Sequence, residues 1–194
     1  MKLRGLYAIT PEGAGVLDKV RQALEGGIAL LQYRRKNQAS LDEAKALLAL
    51  ARRHGVPFIV NDDVALALEI GADGVHLGRE DGALAAAREQ LKGKLLGASC
   101  YDRLDLAQAA LAEGADYIAF GSVFPSPTKP SAARASLSLF KSGFEKPVCA
   151  IGGITLQNAP QVIAAGADMV AVISDLFDAP DIARQAAAYR KLFP

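Results

Sequence analysis

The chain has 194 residues, is 51% hydrophobic and carries a formal net charge of +1. That length and apolar content suit one sizeable core, a single domain over 1–194, and are short for two. The near-zero charge gives no broad basic face, so a nucleic-acid footprint is not expected. The only cysteines, Cys100 and Cys149, sit in apolar strand-like runs without metal spacing. They predict buried, reduced thiols and a cytoplasmic setting. No apolar stretch approaches the ~20 residues that span a bilayer, and the short apolar run after "MKLRG" does not make a signal peptide. Partners are therefore expected to be small molecules. The state of assembly is left open, a homo-oligomer included.

In chain order, strand candidates begin at Gly5, Ile28, Pro57, Gly74, Lys94, Tyr117, Pro147 and Met169. Helical patterns lie between most of them, among them "LDEAKALLALARR" and "RLDLAQAALAE". After Asp62 there is room for only a short helix. One phrase recurs: "GADGVHLG" from Gly71, "GADYIAFG" from Gly114 and "GADMVAVI" from Gly166, with "GGIALLQY" from Gly26 as a looser copy. Each reads as a helix closed by glycine, a turn, then a strand. The strands are continuously apolar rather than alternating, as in parallel sheets covered on both faces. Four repeats of two βα units make eight strands, which close as a (β/α)8 TIM barrel in the α/β class. An open doubly wound sheet is the structural alternative.

Reactive groups in such barrels stand at the carboxyl ends of strands. Here those ends carry Thr10, then Gln32, Arg34 and Lys36, then Asn61 and Asp62. His76 and Asp81 follow strand 4, and Ser99 ends strand 5. Ser126, Thr128 and Lys129 follow strand 6, Gly152 and Gly153 strand 7, and Ser174 strand 8. Arg34, Lys36 and Lys129 are cations suited to a phosphate or diphosphate. Asp62 and Asp81 are hard oxygen donors, and two carboxylates with phosphate oxygens and water is a usual way to hold Mg²⁺. Capping of a following helix is the competing role for each aspartate. Arg35 should face away from Arg34 and Lys36, because neighbours on a strand point oppositely. The Gly152–Gly153 turn and the helix start at Ser174 suit a second phosphate, held by backbone N–H groups. The polar stretch 123–135 is long enough to act as a lid. His54 reads as an exposed helix-end residue and His76 as a hydrogen-bonding one. No nucleophile–base set is apparent.

Taken together, "LQYRRK", "NDD", "GVHLGRED", "GAS", "FGSVFPSPTKP", "AIGGIT" and "AVIS" in this order resemble thiamine phosphate synthases over nearly the whole chain. The resemblance implies a (β/α)8 transferase of thiamine biosynthesis. It joins hydroxymethylpyrimidine diphosphate to a thiazole phosphate with Mg²⁺, releasing diphosphate by a dissociative path. It implies a pyrimidine diphosphate site at Gln32, Arg34, Lys36, Asn61, Ser99 and Lys129, with Arg34, Lys36, Ser99 and Lys129 as the catalytic set. Metal ligands fall on Asp62 and Asp81. A thiazole phosphate site falls on Ser126, Thr128, Gly153, Ile173 and Ser174. Three positions depart from the family pattern: Asp63 replaces a usual Arg, Arg79 a common Gln, and Ser126 a frequent Thr. The chain also starts almost at strand 1, so no helix closing the barrel floor is expected ahead of it. Two rival readings on the same scaffold are a thiazole tautomerase and a non-catalytic ligand-sensing barrel.

Overall fold

A computed structural model describes residues 3–36, 39–79, 82–125 and 134–193. Eight parallel strands close into a barrel in sequence order. They are β1 (Gly5–Ile9), β2 (Leu30–Tyr33), β3 (Phe58–Asn61), β4 (Gly74–Leu77), β5 (Leu95–Tyr101), β6 (Tyr117–Phe120), β7 (Val148–Ile151) and β8 (Met169–Val172). The ring closes where β1 pairs with β8, Tyr7 beside Ala171. The open-sheet alternative is thereby excluded.

Helices α1 (Val16–Gly26), α2 (Leu41–Arg53), α3 (Val64–Ile70), α4 (Leu84–Gln90) and α5 (Leu104–Ala112) follow the first five strands. After β6 comes a 3-10 turn, Leu137–Lys141, in place of an α-helix among the described residues. Helices α6 (Ala159–Ala164), α7 (Ser174–Phe177) and α8 (Ile182–Arg190) complete the chain. In α1 the buried positions Val16, Val20, Ala23 and Leu24 lie on one stripe, as helical spacing requires. Gly26 at the end of that stripe lets α1 and α8 approach. A Cβ there would meet the Ala183 carbonyl and the Ala186 Cβ.

Two cores result. A sheath of apolar residues fills the space between sheet and helices, with Tyr33 stacked on Phe58. A smaller cluster fills the barrel itself and includes Tyr7, Ile9, Leu30, Ile59, Tyr117 and Met169. Each large side chain so buried contributes about 1.5–3 kcal/mol relative to exposure.

The aspartate of the recurring phrase has a physical role. Asp73 donates its N–H to the Phe58 carbonyl and accepts the Phe58 N–H on its carboxylate, at 2.9 and 2.8 Å. Asp116 does the same to Leu96, at 2.7 and 2.9 Å. Asp168 does it to Val148, at 2.8 and 3.1 Å. Each aspartate thus staples the strand it precedes to the neighbouring strand one step earlier in the barrel. In the looser copy Ala29 stands at that place and keeps only the backbone bond, to the Leu6 carbonyl.

Two expectations change, and one competing role passes to another residue. Strand β2 stops at Tyr33, so Arg34 and Lys36 belong to the following loop and strand alternation does not place them. Strand β5 runs two residues past Ser99, through a register shift between Ser99 and Tyr101. Asp62 does not cap α3: Asp63 does, accepting the Leu66 N–H at 2.8 Å. The difference is one of backbone. Asp62 has φ 64, whereas Asp63 is extended, as a cap residue is.

Candidate active site at the carboxyl rim

The loops after β1 and β2 are laced together by Thr10 and Arg35. Thr10, buried at the end of β1, accepts the Arg34 N–H at 3.0 Å and donates to the Arg34 carbonyl at 3.2 Å. Arg35 turns outward over the Tyr33 ring and pairs with Glu43 of α2 at 2.7 Å. Its other guanidinium nitrogen donates to the carbonyls of Pro11 and Arg34, at 2.8 and 2.9 Å. The Lys36 N–H donates to Glu12 at 2.9 Å. Arg35 is therefore a strut, a role that strand alternation did not predict, and the backbone that carries Arg34 and Lys36 is held from both sides.

At the end of β3 the Asp62 N–H continues the ladder to the His76 carbonyl at 2.9 Å. The Asn61 side-chain amide donates to the Asp62 carboxylate. Asp62 is exposed and Asn61 half-buried. Capping of α3 rests on Asp63, so the Asp62 carboxylate is displaced from the helix and stands beside Asn61. Its partner in the expected metal pair, Asp81, lies outside the described residues. Among the described residues no group of three or more His, Cys, Asp or Glu side chains comes together. One hard carboxylate from this loop nevertheless fits Mg²⁺, which is held by only one or two carboxylates when phosphate oxygens and water complete its shell.

Gln32 and Ser99 reach the same interior. Gln32 donates to the Tyr7 hydroxyl at 2.7 Å. The Ser99 hydroxyl lies 2.9 Å from Nε2 of His76. His76 is buried and hydrogen-bonded, as expected. His54 is exposed at the end of α2, also as expected. Burial pushes the phenols of Tyr7 and Tyr117 well above the ordinary tyrosine range, so both are neutral donors and acceptors. The same cause raises the Cys149 thiol, and holds the Cys100 thiol at about 12. Both cysteines are free and buried.

On the far side of the rim the Gly152–Gly153 turn follows β7. Both glycines have positive φ, 96 and 63. A Cβ on Gly152 would meet Ser122, and one on Gly153 the backbone of Phe124 and Pro125. The loop after β6 zips onto this turn, Val123 N–H to Ile151 and Phe124 N–H to Gly152, each at 3.0 Å. Ile173 precedes α7, and Ser174 begins it with an exposed side chain. Asp175 ties the two loops together. Its carboxylate accepts from the Leu156 N–H at 3.1 Å, and from Gln185 and Tyr189 at 2.7 Å each. Ser126, Thr128 and Lys129, and most of the stretch expected to form a lid, lie outside the described residues.

The structure thus brings Gln32, Arg34, Lys36, Asn61, Asp62, Ser99, Gly153, Ile173 and Ser174 to the carboxyl ends of their strands or the loops just beyond. The supporting residues Thr10, Arg35, Tyr7, Tyr117 and Asp175 were not in the candidate set. Thr10 stood among the polar strand ends in the sequence and Arg35 beside Arg34, but Tyr7 and Tyr117 look there like ordinary core aromatics.

Known proteins resemble this chain in sequence and in fold. Residues 6–176 match the family described as thiamine monophosphate synthase. A thiamine-phosphate synthase of Aromatoleum aromaticum is 56% identical, over 99% of this chain and 97% of its own. One from Thioalkalivibrio sulfidiphilus is 53% identical, over 99% and 96%. The solved thiamine phosphate pyrophosphorylase of Pyrococcus furiosus superposes with a TM-score of 0.88 at 37% identity, covering 98% of this chain and 96% of that one. The chain belongs to the thiamine monophosphate synthase family, a group of transferases in thiamine biosynthesis.

Proposed function

We propose that the rim joins a pyrimidinylmethyl diphosphate to a thiazole phosphate, forming thiamine phosphate and releasing diphosphate. The observation that carries the reading is the division of labour at Asn61–Asp63. Asp63 takes the structural task, and Asp62 stands at the rim with its carboxylate held by Asn61. Arg34 and Lys36 stand on a braced loop one strand away. Such an arrangement suits a diphosphate, whose charge calls for fixed cations. The resemblance adds Lys129 to these cations and Asp81 to the metal ligands.

Asp62, with Asp81, would hold Mg²⁺. When bound, the metal neutralises charge on the diphosphate and makes it a better leaving group. This chain's own residues bind and orient. Arg34, Lys36 and Lys129 grip the diphosphate, and Gln32, Asn61 and Ser99 hold the pyrimidine. The methylene C–O bond breaks and its electron pair leaves with diphosphate. The thiazole nitrogen lone pair then forms the C–N bond and becomes the thiazolium, so no proton need be moved. Catalysis of this kind is positioning plus stabilisation of departing charge.

The Gly152–Gly153 turn, with Ile173 and Ser174, takes the thiazole phosphate, together with Ser126 and Thr128. The braced Asp175 junction between the two loops supports this assignment. Buried free cysteines support a reducing, cytoplasmic setting. Among the described residues no helix is long and apolar enough to cross a membrane.

The reading is tested by titrating diphosphate into the protein by calorimetry, with and without Mg²⁺. Binding that needs Mg²⁺ in the wild type and vanishes in Asp62→Asn supports it. Equal binding with and without the metal contradicts the metal assignment.

A further inference from the structure

Four hydrogen bonds run in a continuous line through the barrel. Gln32 Nε2 lies 2.7 Å from the Tyr7 hydroxyl. The Tyr7 hydroxyl lies 2.8 Å from that of Tyr117. The Tyr117 hydroxyl lies 3.1 Å from Nδ1 of His76. Nε2 of His76 lies 2.9 Å from the Ser99 hydroxyl. Tyr7 and Tyr117 are almost entirely removed from solvent, at 1% and 0% exposure. The barrel makes room for this line at Gly97, where a Cβ would collide with the Tyr117 phenol and with His76 Nδ1.

Each hydroxyl in the line has one proton, and a neutral imidazole has one N–H. Every link therefore constrains the next. With the Gln32 amide donating to Tyr7, Tyr7 must donate to Tyr117, and Tyr117 to His76 Nδ1. The imidazole proton then sits on Nε2 and points at Ser99. Ser99 accepts, and its own O–H is left to donate elsewhere. Gln32 has used one of its two N–H groups, and its amide is thereby oriented with the carbonyl turned away from Tyr7. Reversing one link without the others leaves two buried protons or two buried lone pairs facing each other, which costs about 1–3 kcal/mol per unsatisfied group.

We propose that Tyr7, Tyr117 and His76 are positioning residues that lock the polarity of the two rim groups together, so that Gln32 presents an acceptor and Ser99 a donor. This pairing matches an aminopyrimidine, whose exocyclic amine donates and whose ring nitrogens accept. It mismatches a 4-oxopyrimidine, whose carbonyl accepts and whose adjacent ring N–H donates. The barrel interior thus selects the amino ring over its hydrolysed counterpart. The inference rests on the reading of Gln32 and Ser99 as pyrimidine-binding residues.

Two measurements test it. The first is the nitrogen spectrum of ¹⁵N-histidine-labelled protein. The chain has two histidines, and His54→Gln assigns the signals. His76 protonated on Nε2 is expected, and protonation on Nδ1 overturns the polarity. The second is calorimetric binding of the aminopyrimidine diphosphate and of its 4-oxo analogue. Wild type is expected to prefer the amine by about 100-fold or more. In Tyr117→Phe the polarity lock is cut, and the preference should fall by about tenfold. A folded Tyr117→Phe with unchanged preference overturns the coupling. Tyr7→Phe breaks the line one link earlier and reads the same effect if Tyr117→Phe does not fold. A wild-type protein that binds neither pyrimidine contradicts the proposed function instead, while the His76 tautomer still decides the polarity of the line.

Discussion

Asp63 accepts the Leu66 N–H at 2.8 Å and so closes the amino end of α3. The residue before it, Asp62, has left-handed backbone and stands beside Asn61. Two adjacent carboxylates therefore carry different tasks, and they should respond differently to replacement. Asp63→Ala removes a cap and is expected to cost about 1 kcal/mol of stability in urea unfolding, with turnover per folded molecule largely kept. Asp62→Asn tolerates the left-handed backbone and should keep stability within about 0.5 kcal/mol, while turnover falls about 100-fold or more. Equal losses of turnover in the two variants would mean that Asp63 also belongs to the reaction.

Arg34 and Arg35 make a similar pair. Arg35 is in a partly buried ion pair with Glu43 and donates to two carbonyls. Arg35→Ala should destabilise the protein by roughly 3 kcal/mol, because Glu43 is left without its cation. Arg34→Ala should leave the melting temperature within a few degrees and lower turnover. Thermal melts and steady-state kinetics on both variants read this directly. A stable Arg35→Ala protein would show that the strut is dispensable.

The three stapling aspartates lie at the amino ends of their strands, away from the rim. Asp168→Ala removes the bond to the Val148 N–H and is expected to cost about 1–3 kcal/mol. Asp116→Ala should cost more, because Asp116 also pairs with Arg88 at 2.9 Å. KM values for both substrates should not move in either variant. A changed KM would mean that strand register at the floor reaches the rim.

Alkaline pH should loosen the fold. The Cys100 thiol is held at about 12 by burial, against an ordinary 9.0. Its folded pKa is raised, so its contribution is complete below about 9 and is lost progressively as pH rises towards 12. The phenols of Tyr7 and Tyr117 act in the same direction. Melting temperature should fall from about pH 9 upwards, and native protein at pH 8 should show no thiol reactive to Ellman's reagent. Two reactive thiols in the native state would contradict the burial of Cys100 and Cys149.

The barrel was legible because its repeat is written in the chain. Gly71, Gly114 and Gly166 all have positive φ at the turn after a helix, as glycine in such a place implies. The rim was legible because strand ends and polar residues coincide. Other features depend on pairings that no local pattern reveals. Tyr7 and Tyr117 are 110 residues apart, and His76 and Tyr117 are 41 apart. The register shift in β5 is likewise a property of two strands together. The exchange of Asp62 for Asp63 as helix cap turned on a single left-handed backbone angle. Both were aspartates with the same apolar helix ahead, so composition alone could not separate them.

The most direct test of the account is one reaction followed by phosphorus NMR. Purified protein is mixed with the aminopyrimidine diphosphate and the thiazole phosphate, with and without Mg²⁺. Thiamine phosphate and diphosphate are expected to appear in equal amounts, only when both substrates and Mg²⁺ are present. Absence of thiamine phosphate under those conditions, or equal turnover without the metal, would contradict it.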